Sequence, residues 1–172
     1  MGIQYLNSYI KKNTNNGSIT KQNLSELYGK TIVVDTSIYL YRFLVDQGLI
    51  DNMYMMISLF KYYNITPLFI FDGKAPIEKN KLLEKRNNDK IIAENKYNDI
   101  KNELKNTEQH SNHYEELYNE MTLLKKKFIR LRREDIKNVQ KLMDAFGVSY
   151  IEAEGEADVL CARLVQKKYA YA

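Results

Sequence analysis

Two short apolar runs, each closed by an aspartate, constrain this chain more than any other feature. Thr31-Ile32-Val33-Val34-Asp35 leads straight into Thr36-Ser37, a helix-capping signature, and then into Ile38, Tyr41, Leu44 and Val45 at helical spacing. Pro67-Leu68-Phe69-Ile70-Phe71-Asp72-Gly73 repeats the pattern of apolar run, terminal acid and turn. Apolar residues without alternation suit a strand covered on both faces, as in parallel sheets carrying helices on each side. A further helix is expected over Asn52–Tyr63. A third unit follows in the amphipathic stretch Glu134–Phe146, ended by Gly147 as the residue after the helix. Val148-Ser149-Tyr150-Ile151 reads as its strand, and a last helix over Ala157–Lys168 buries Leu160, Cys161, Leu164 and Val165. Strands alternating with helices predict an α/β fold: a Rossmann-like parallel sheet flanked by helices.

With 172 residues, 44% of them hydrophobic, the chain can fill one domain core, which excludes a disordered chain. It has no apolar run long enough to cross a bilayer, and its opening MGIQYLNSYIKK lacks the apolar core of a signal peptide. Leu6 stands where a myristoylation signal needs Ser or Thr. The lone Cys161 permits no internal disulfide. The expected setting is therefore intracellular, nuclear or cytoplasmic, without secretion or membrane attachment. The Asn-x-Ser/Thr triplets at Asn16, Asn23 and Asn64 are read as chance in an Asn-rich chain.

A net charge of +4 decides little, but its placement says more. Lys125, Lys126, Lys127, Arg130, Arg132, Arg133, Lys137 and Lys141 crowd one stretch, opposed only by Glu134 and Asp135. Asn106–Glu120 instead carries four glutamates and no Lys or Arg. Such a basic run suits phosphate binding, with a solvated helix face as the alternative. The polar segment from Lys74 to Lys127 is helix-prone with few apolar positions, so it is expected to project as an insertion that buries little.

Ligands of open parallel sheets sit beyond the carboxyl ends of the strands. Asp35 and Asp72 occupy that rim, and Glu152, Glu154, Glu156 and Asp158 crowd the end of the third strand. Acids converging there repel one another unless a cation intervenes. Hard oxygen donors without a His/Cys set point to Mg²⁺ or Mn²⁺ rather than zinc. The competing reading has Asp35 capping a helix and Asp72 making an Asp-Gly turn. Residues two apart on a helix face opposite sides, so Glu156 and Asp158 share an ion only if Glu156 lies in the cap; otherwise Glu154 pairs better with Asp158. His110 and His113 are read as solvated, and Cys161 as a small core residue.

The segments MGIQYL, VVDTSIYLYRFL, PLFIFDGKAPIEKNKLLEKR and FGVSYIEAEGEADVLCARLV occur here in order. On these motifs the chain resembles the N-terminal part of the flap endonuclease/XPG family of structure-specific 5′ nucleases. The resemblance implies a PIN-like fold, with residues 1–172 an XPG-type N-terminal nuclease domain and 74–127 an inserted helical gateway or arch. It implies a metal-dependent endonuclease or 5′ exonuclease that hydrolyses DNA phosphodiesters near single-strand/duplex junctions, in DNA repair or replication. Asp35, Asp72, Glu156 and Asp158 match metal-site acids, the complete family site holding two Mg²⁺ (or Mn²⁺) ions. Asp158 stands where the family has Glu, one methylene longer. Lys79 and Arg86, seven and fourteen residues beyond Asp72, match the catalytic Lys and Arg of the gateway. Tyr41 matches an aromatic that stacks on a nucleobase, and Gly2 belongs to a strand-like start lying close to bound DNA.

Where the family continues into a strand with a Ser/Glu-Asp-x-Asp motif, this sequence reads Tyr169-Ala170-Tyr171-Ala172. The second set of metal acids, the helix–two-turn–helix element with its K⁺ and the sliding-clamp tail are not in it. The expectation is that a C-terminal nuclease half, encoded separately, is a candidate partner and that the chain alone lacks two-metal catalysis. Two alternatives stand beside the nuclease reading: a catalytically dead nucleic-acid-binding fragment and a PIN-like ribonuclease. The Lys79/Arg86 match weighs against the second.

Overall fold

A computed structural model of the chain describes residues 5–14, 19, 21–106 and 111–172. Thr31–Asp35 forms β1, Thr66–Phe71 β2 and Ser149–Glu152 β3, and the three run parallel in the order β1-β2-β3. Val33 pairs with Leu68 across the first ladder, and Ile70 with Ile151 across the second. Tyr171 N–H donates to the Thr31 carbonyl, and Val33 N–H to that of Ala172, so the last two residues lie along the other edge of β1.

Seven α-helices are described, α1 (Leu6–Asn13), α2 (Thr36–Val45), α3 (Leu49–Tyr62), α4 (Asn80–Leu104), α5 (Asn112–Lys127), α6 (Arg133–Phe146) and α7 (Ala157–Gln166), with short 3-10 turns at Leu24–Leu27 and Ile77–Lys79. Side chains alternate across the central strand β2. Phe69 and Phe71 enter a core with Leu40 of α2, Met53 and Ile57 of α3, and Val139 and Met143 of α6. Ile70 packs on the opposite face with Ala157, and Leu68, Leu160, Cys161 and Leu164 close around them. Each large apolar side chain so buried contributes about 1.5–3 kcal/mol, which explains the unbroken apolarity of this strand. Gly147, with φ 62, stops α6 in the left-handed conformation that glycine adopts without a steric penalty.

Several boundaries differ from the sequence reading. α3 begins at Leu49 rather than Asn52, because Leu49 packs against the core and Gly48 can serve as its N-cap. β3 covers Ser149–Glu152, since it is hydrogen bonding to β2 through Glu152 that sets its limit. α7 ends at Gln166, two residues early, and Lys168 turns to φ 61.

The segment beyond Lys74 departs more interestingly. It does project, as an antiparallel hairpin of α4 and α5, but it carries a core of its own. Ala93, Ile100, Leu117 and Leu124 are buried, with Tyr97, Leu104, Met121 and Phe128 packed against them. Both sets recur in steps of four, three and four, the heptad spacing that turns one stripe of each helix toward the other. Tyr97 meets Phe128 edge-on at 5.2 Å. Ion pairs Lys96–Glu120 and Arg130–Glu94 flank the seam, half exposed and so of small energetic weight. α4 alone is about 37 Å long, which carries the hairpin tip well away from the sheet. No helix among the described residues is long and apolar enough to cross a membrane.

Candidate functional site

Asp35 is the last residue of β1 and also the N-cap of α2, where its Oδ1 accepts the Ser37 backbone N–H at 3.0 Å. Asp72 follows β2 directly. Its Oδ1 accepts the Ala157 N–H at 2.8 Å, the first amide of α7, and its Oδ2 accepts the Ser37 hydroxyl at 2.5 Å. Asp72 therefore ties the end of β2 to the starts of two helices, where exposed amides favour negative charge.

The turn after Asp72 is seated by backbone contact. Gly73 N–H donates to the Gly155 carbonyl at 2.7 Å and Lys74 N–H to that of Glu154 at 3.3 Å. A Cβ on Gly73 would stand 1.9 Å from the Ala153 carbonyl oxygen, so only glycine permits this approach. It brings the β3–α7 connection against the end of β2. Glu156 is the N-cap of α7, with extended backbone (φ −80, ψ 140), and Asp158 lies in the first turn. The alternatives left by helix geometry thus narrow: Glu156 sits outside the helix, the position from which it could face the same side as Asp158.

The charges on this rim act on Asp35 and on Cys161. Asp35 holds its proton more tightly than an ordinary carboxyl, first because it is partly buried and then because Asp72 and Asp158 lie nearby, against the opposing Ser37 hydrogen bond. Cys161, beneath them in α7, has its thiol pushed up to about 11 by burial and by the charges of Asp35, Asp158 and Asp72. It is a protonated packing residue, as its place beside Ile70 and Ala157 suggests.

Asp35, Asp72 and Asp158 fit a hard divalent cation in donor chemistry and in mutual repulsion. The side chains of these acids and of Glu156 nonetheless have other partners. Glu156 Oε1 pairs with Lys79 Nζ at 2.5 Å, and Asp158 Oδ1 accepts the Val159 N–H at 2.7 Å. Among the described residues no three His, Cys, Asp or Glu side chains are arranged to hold an ion as they stand.

An open cleft of about 920 Å³ separates this rim from the hairpin. Asp72, Gly73, Gly155 and Glu156 form its floor. Lys79 enters from the short turn that caps α4, Arg86 and Lys90 from α4 itself, Lys126 and Lys127 from the end of α5, and Tyr41 and Arg42 from α2. Lys90 Nζ lies 5.5 Å from the Tyr41 ring centroid, a cation–π distance. Its pKa is lowered, chiefly by burial and then by the charges of Arg130 and Arg86. So many cations around one cleft favour an anionic occupant.

The first part of the chain, residues 1–93, matches the family model for the XPG N-terminal domain. The chain belongs to the XPG N-terminal domain family. Flap endonuclease 1 of Candida tropicalis is 29% identical over 189 residues, covering 100% of this chain and 47% of that protein. Flap endonuclease 1 of Saccharomyces cerevisiae is 28% identical over 188 residues, covering 100% and 45%. The chain thus spans about half the length of the curated relatives it matches. Among solved structures, the catalytic core of Rad2 in complex with a DNA substrate matches with a TM-score of 0.64 and 25% identity, covering 99% of this chain and 43% of that one. Human GEN1 in complex with Holliday junction DNA matches with 0.59 over 99% of this chain and 35% of that one; at 14% identity it bears on the fold alone.

The sequence-derived candidates divide into groups. Asp72, Glu156, Lys79, Arg86, Tyr41, Lys126 and Lys127 share the cleft. Asp158 lies close enough to Asp35 to raise its pKa. Lys125 is exposed and is not among the cleft-lining residues. Arg130 is paired with Glu94, and Arg132 and Arg133 begin α6, where the Arg132 N–H donates to Asp135. The basic stretch is therefore divided among four settings, because the chain turns between α5 and α6. Gly2 and His110 lie outside the described residues, and His113 sits 3.3 Å from Glu103 at the hairpin tip. Sequence reasoning passed over Ser37, Arg42 and Lys90. Lys90 was within reach, four residues beyond Arg86 and so on the same helix face.

Proposed function

We propose that this XPG N-terminal domain is the catalytic N-terminal portion of a flap endonuclease-like, Mg²⁺- or Mn²⁺-dependent 5′ nuclease acting on DNA near single-strand/duplex junctions. The observation that carries the reading is the single cleft in which Asp72 and Glu156 face Lys79, Arg86, Tyr41, Lys126 and Lys127. The relatives named flap endonuclease 1 and the DNA complex of Rad2 support it.

Asp35 and Asp72, with Glu156 and Asp158 joining from the start of α7, are the residues that would hold the cation. When bound, it supplies Lewis-acid stabilisation of charge on the scissile phosphodiester. The protein's own groups do the rest. Lys79, released from Glu156, offers its ammonium to the phosphate, and Arg86 offers a planar fork of N–H donors to the same oxygens. Tyr41 presents a ring on which any base can stack, a contact indifferent to sequence and suited to reading structure. Lys126 and Lys127 hold the strand by its phosphates from the hairpin side. A C-terminal nuclease half, joined or separately encoded, would bring the second group of acids that the complete two-ion site requires.

A labelled 5′-flap duplex with Mg²⁺ tests this, using the 172-residue chain alone and then joined to the C-terminal half of a relative, with unstructured RNA as the competing substrate. Flap cleavage by the joined form is expected. No cleavage in either form, with folding verified by circular dichroism, overturns the enzymatic reading, and preferential cleavage of RNA favours a PIN-like ribonuclease. One observation favours a second reading, a binding fragment without hydrolysis: the rim acids are engaged with protein donors rather than grouped around an ion position. Salt-dependent DNA binding without cleavage by the joined form would select it.

A further inference from the structure

Ser37 touches the acids of two strands at once. Its backbone N–H goes to Asp35 Oδ1 and its hydroxyl to Asp72 Oδ2. The first bond caps α2 and survives any side-chain change that keeps the backbone N–H. The second has no role in capping, and among the described residues it is the hydroxyl's one hydrogen bond. We propose that Ser37 is a positioning residue, whose hydroxyl aims the Asp72 carboxylate so that Asp35 and Asp72 present free lone pairs toward one divalent cation. The inference rests on the metal-site reading given under the proposed function and adds a residue to it.

Each carboxylate oxygen carries two lone-pair sites. Ser37 takes one on Oδ2 and the Ala157 amide one on Oδ1, which leaves a site on each oxygen and defines the carboxylate plane. A single anchor would let the exposed Asp72 rotate about the remaining bond, and repulsion from Asp35 would turn it away. Two anchors from different helices prevent that rotation. The hydroxyl is also neutral, so it orients the acid without cancelling the negative charge a cation needs. Lys79 does the opposite at Glu156, where its ammonium neutralises the carboxylate it holds. Hydrogen-bonded partners of ligating carboxylates are a general requirement of metal sites, and their loss typically weakens metal binding by about 10- to 100-fold.

The test is Mn²⁺ binding to the 172-residue chain, followed by loss of the free-ion electron paramagnetic resonance signal, with melting temperatures in parallel. Ser37→Ala is expected to weaken Mn²⁺ binding by about tenfold or more. Ser37→Thr, which keeps the hydroxyl, should bind as the parent does. Ser37→Val has the shape of the Thr variant without its hydroxyl; comparing the two keeps the test sound if the alanine variant folds poorly. Asp72→Asn separates the two claims. Loss of Mn²⁺ in Asp72→Asn, with parental binding in Ser37→Ala and Ser37→Val, overturns the role of Ser37 and leaves the metal site standing. Parental binding by Asp72→Asn, or no binding by the parent chain, overturns the metal site and the inference together.

Discussion

Alanine at Gly73 would place a methyl carbon 1.9 Å from the Ala153 carbonyl oxygen and 2.9 Å from the Ala153 and Glu154 carbonyl carbons. These neighbours are backbone, so no side chain can swing aside. To reach even 3.0 Å from the oxygen, one of the two loops must retreat by about 1.1 Å. That retreat strains the Gly73–Gly155 and Lys74–Glu154 hydrogen bonds, each worth about 0.5–1.5 kcal/mol net. Overpacking of this kind costs about 1–3 kcal/mol more. With the two bonds strained rather than lost, at about 1 kcal/mol together, and about 2 kcal/mol of overpacking, the sum is about 3 kcal/mol; for a domain of this length each kcal/mol lowers the melting temperature by about 2–4 °C. Gly73→Ala should therefore melt about 6–12 °C below the parent in a thermal scan by circular dichroism. Gly155→Ala is the control, since its Cβ meets nothing within 4 Å and should change little. The displaced turn also carries Asp72 from the Ala157 amide, so Mn²⁺ binding should fall in Gly73→Ala and hold in Gly155→Ala. A Gly73→Ala variant melting within about 2 °C of the parent would refute the claim that this glycine seats the acid rim.

Three further outcomes follow from the same geometry. Asp35 holds its proton more tightly in the folded chain, so stability at this site is fullest below the ordinary value of 3.8 and is lost as pH rises through the higher folded value. Asp35→Asn keeps a competent helix cap and removes the charge, so without metal it should melt above the parent at pH 7; the difference should vanish below about pH 4. An equal difference at both pH values would contradict this. Leu117→Ala, in a seam with four buried residues, costs about 2–5 kcal/mol and should speed hydrogen exchange across 80–127 while leaving α2, α3 and α6 protected. Uniform loss of protection would show that the hairpin does not open on its own. Lys126→Ala with Lys127→Ala should flatten the salt dependence of single-strand binding by about 1.4 in log–log slope, whereas Lys125→Ala alone should leave it unchanged.

The layered α/β arrangement was legible because its signal is local. The continuous apolarity of residues 67–71 requires two covered faces, and Gly147 stops α6 where the pattern breaks. The heptad stripes of the hairpin were written just as plainly, at Ala93, Tyr97, Ile100 and Leu104 and again at Leu117, Met121, Leu124 and Phe128. They were passed over because each stripe is thin within a polar segment. Asp35 and Asp72 could be nominated from their places after strands, whereas Lys79 and Arg86 were reached through the family resemblance. The sequence by itself determined which residues are chemically able to serve and which elements carry them, since propensity and periodicity act over a few neighbouring residues. Only the tertiary structure decided their company: that Ser37 bridges two acids, that Glu156 turns to Lys79, and that Lys126 and Lys127 reach the cleft while Arg132 and Arg133 go to a helix start. Those outcomes depend on contacts between distant segments, such as the approach of Gly73 to Ala153, whose geometry no local pattern encodes.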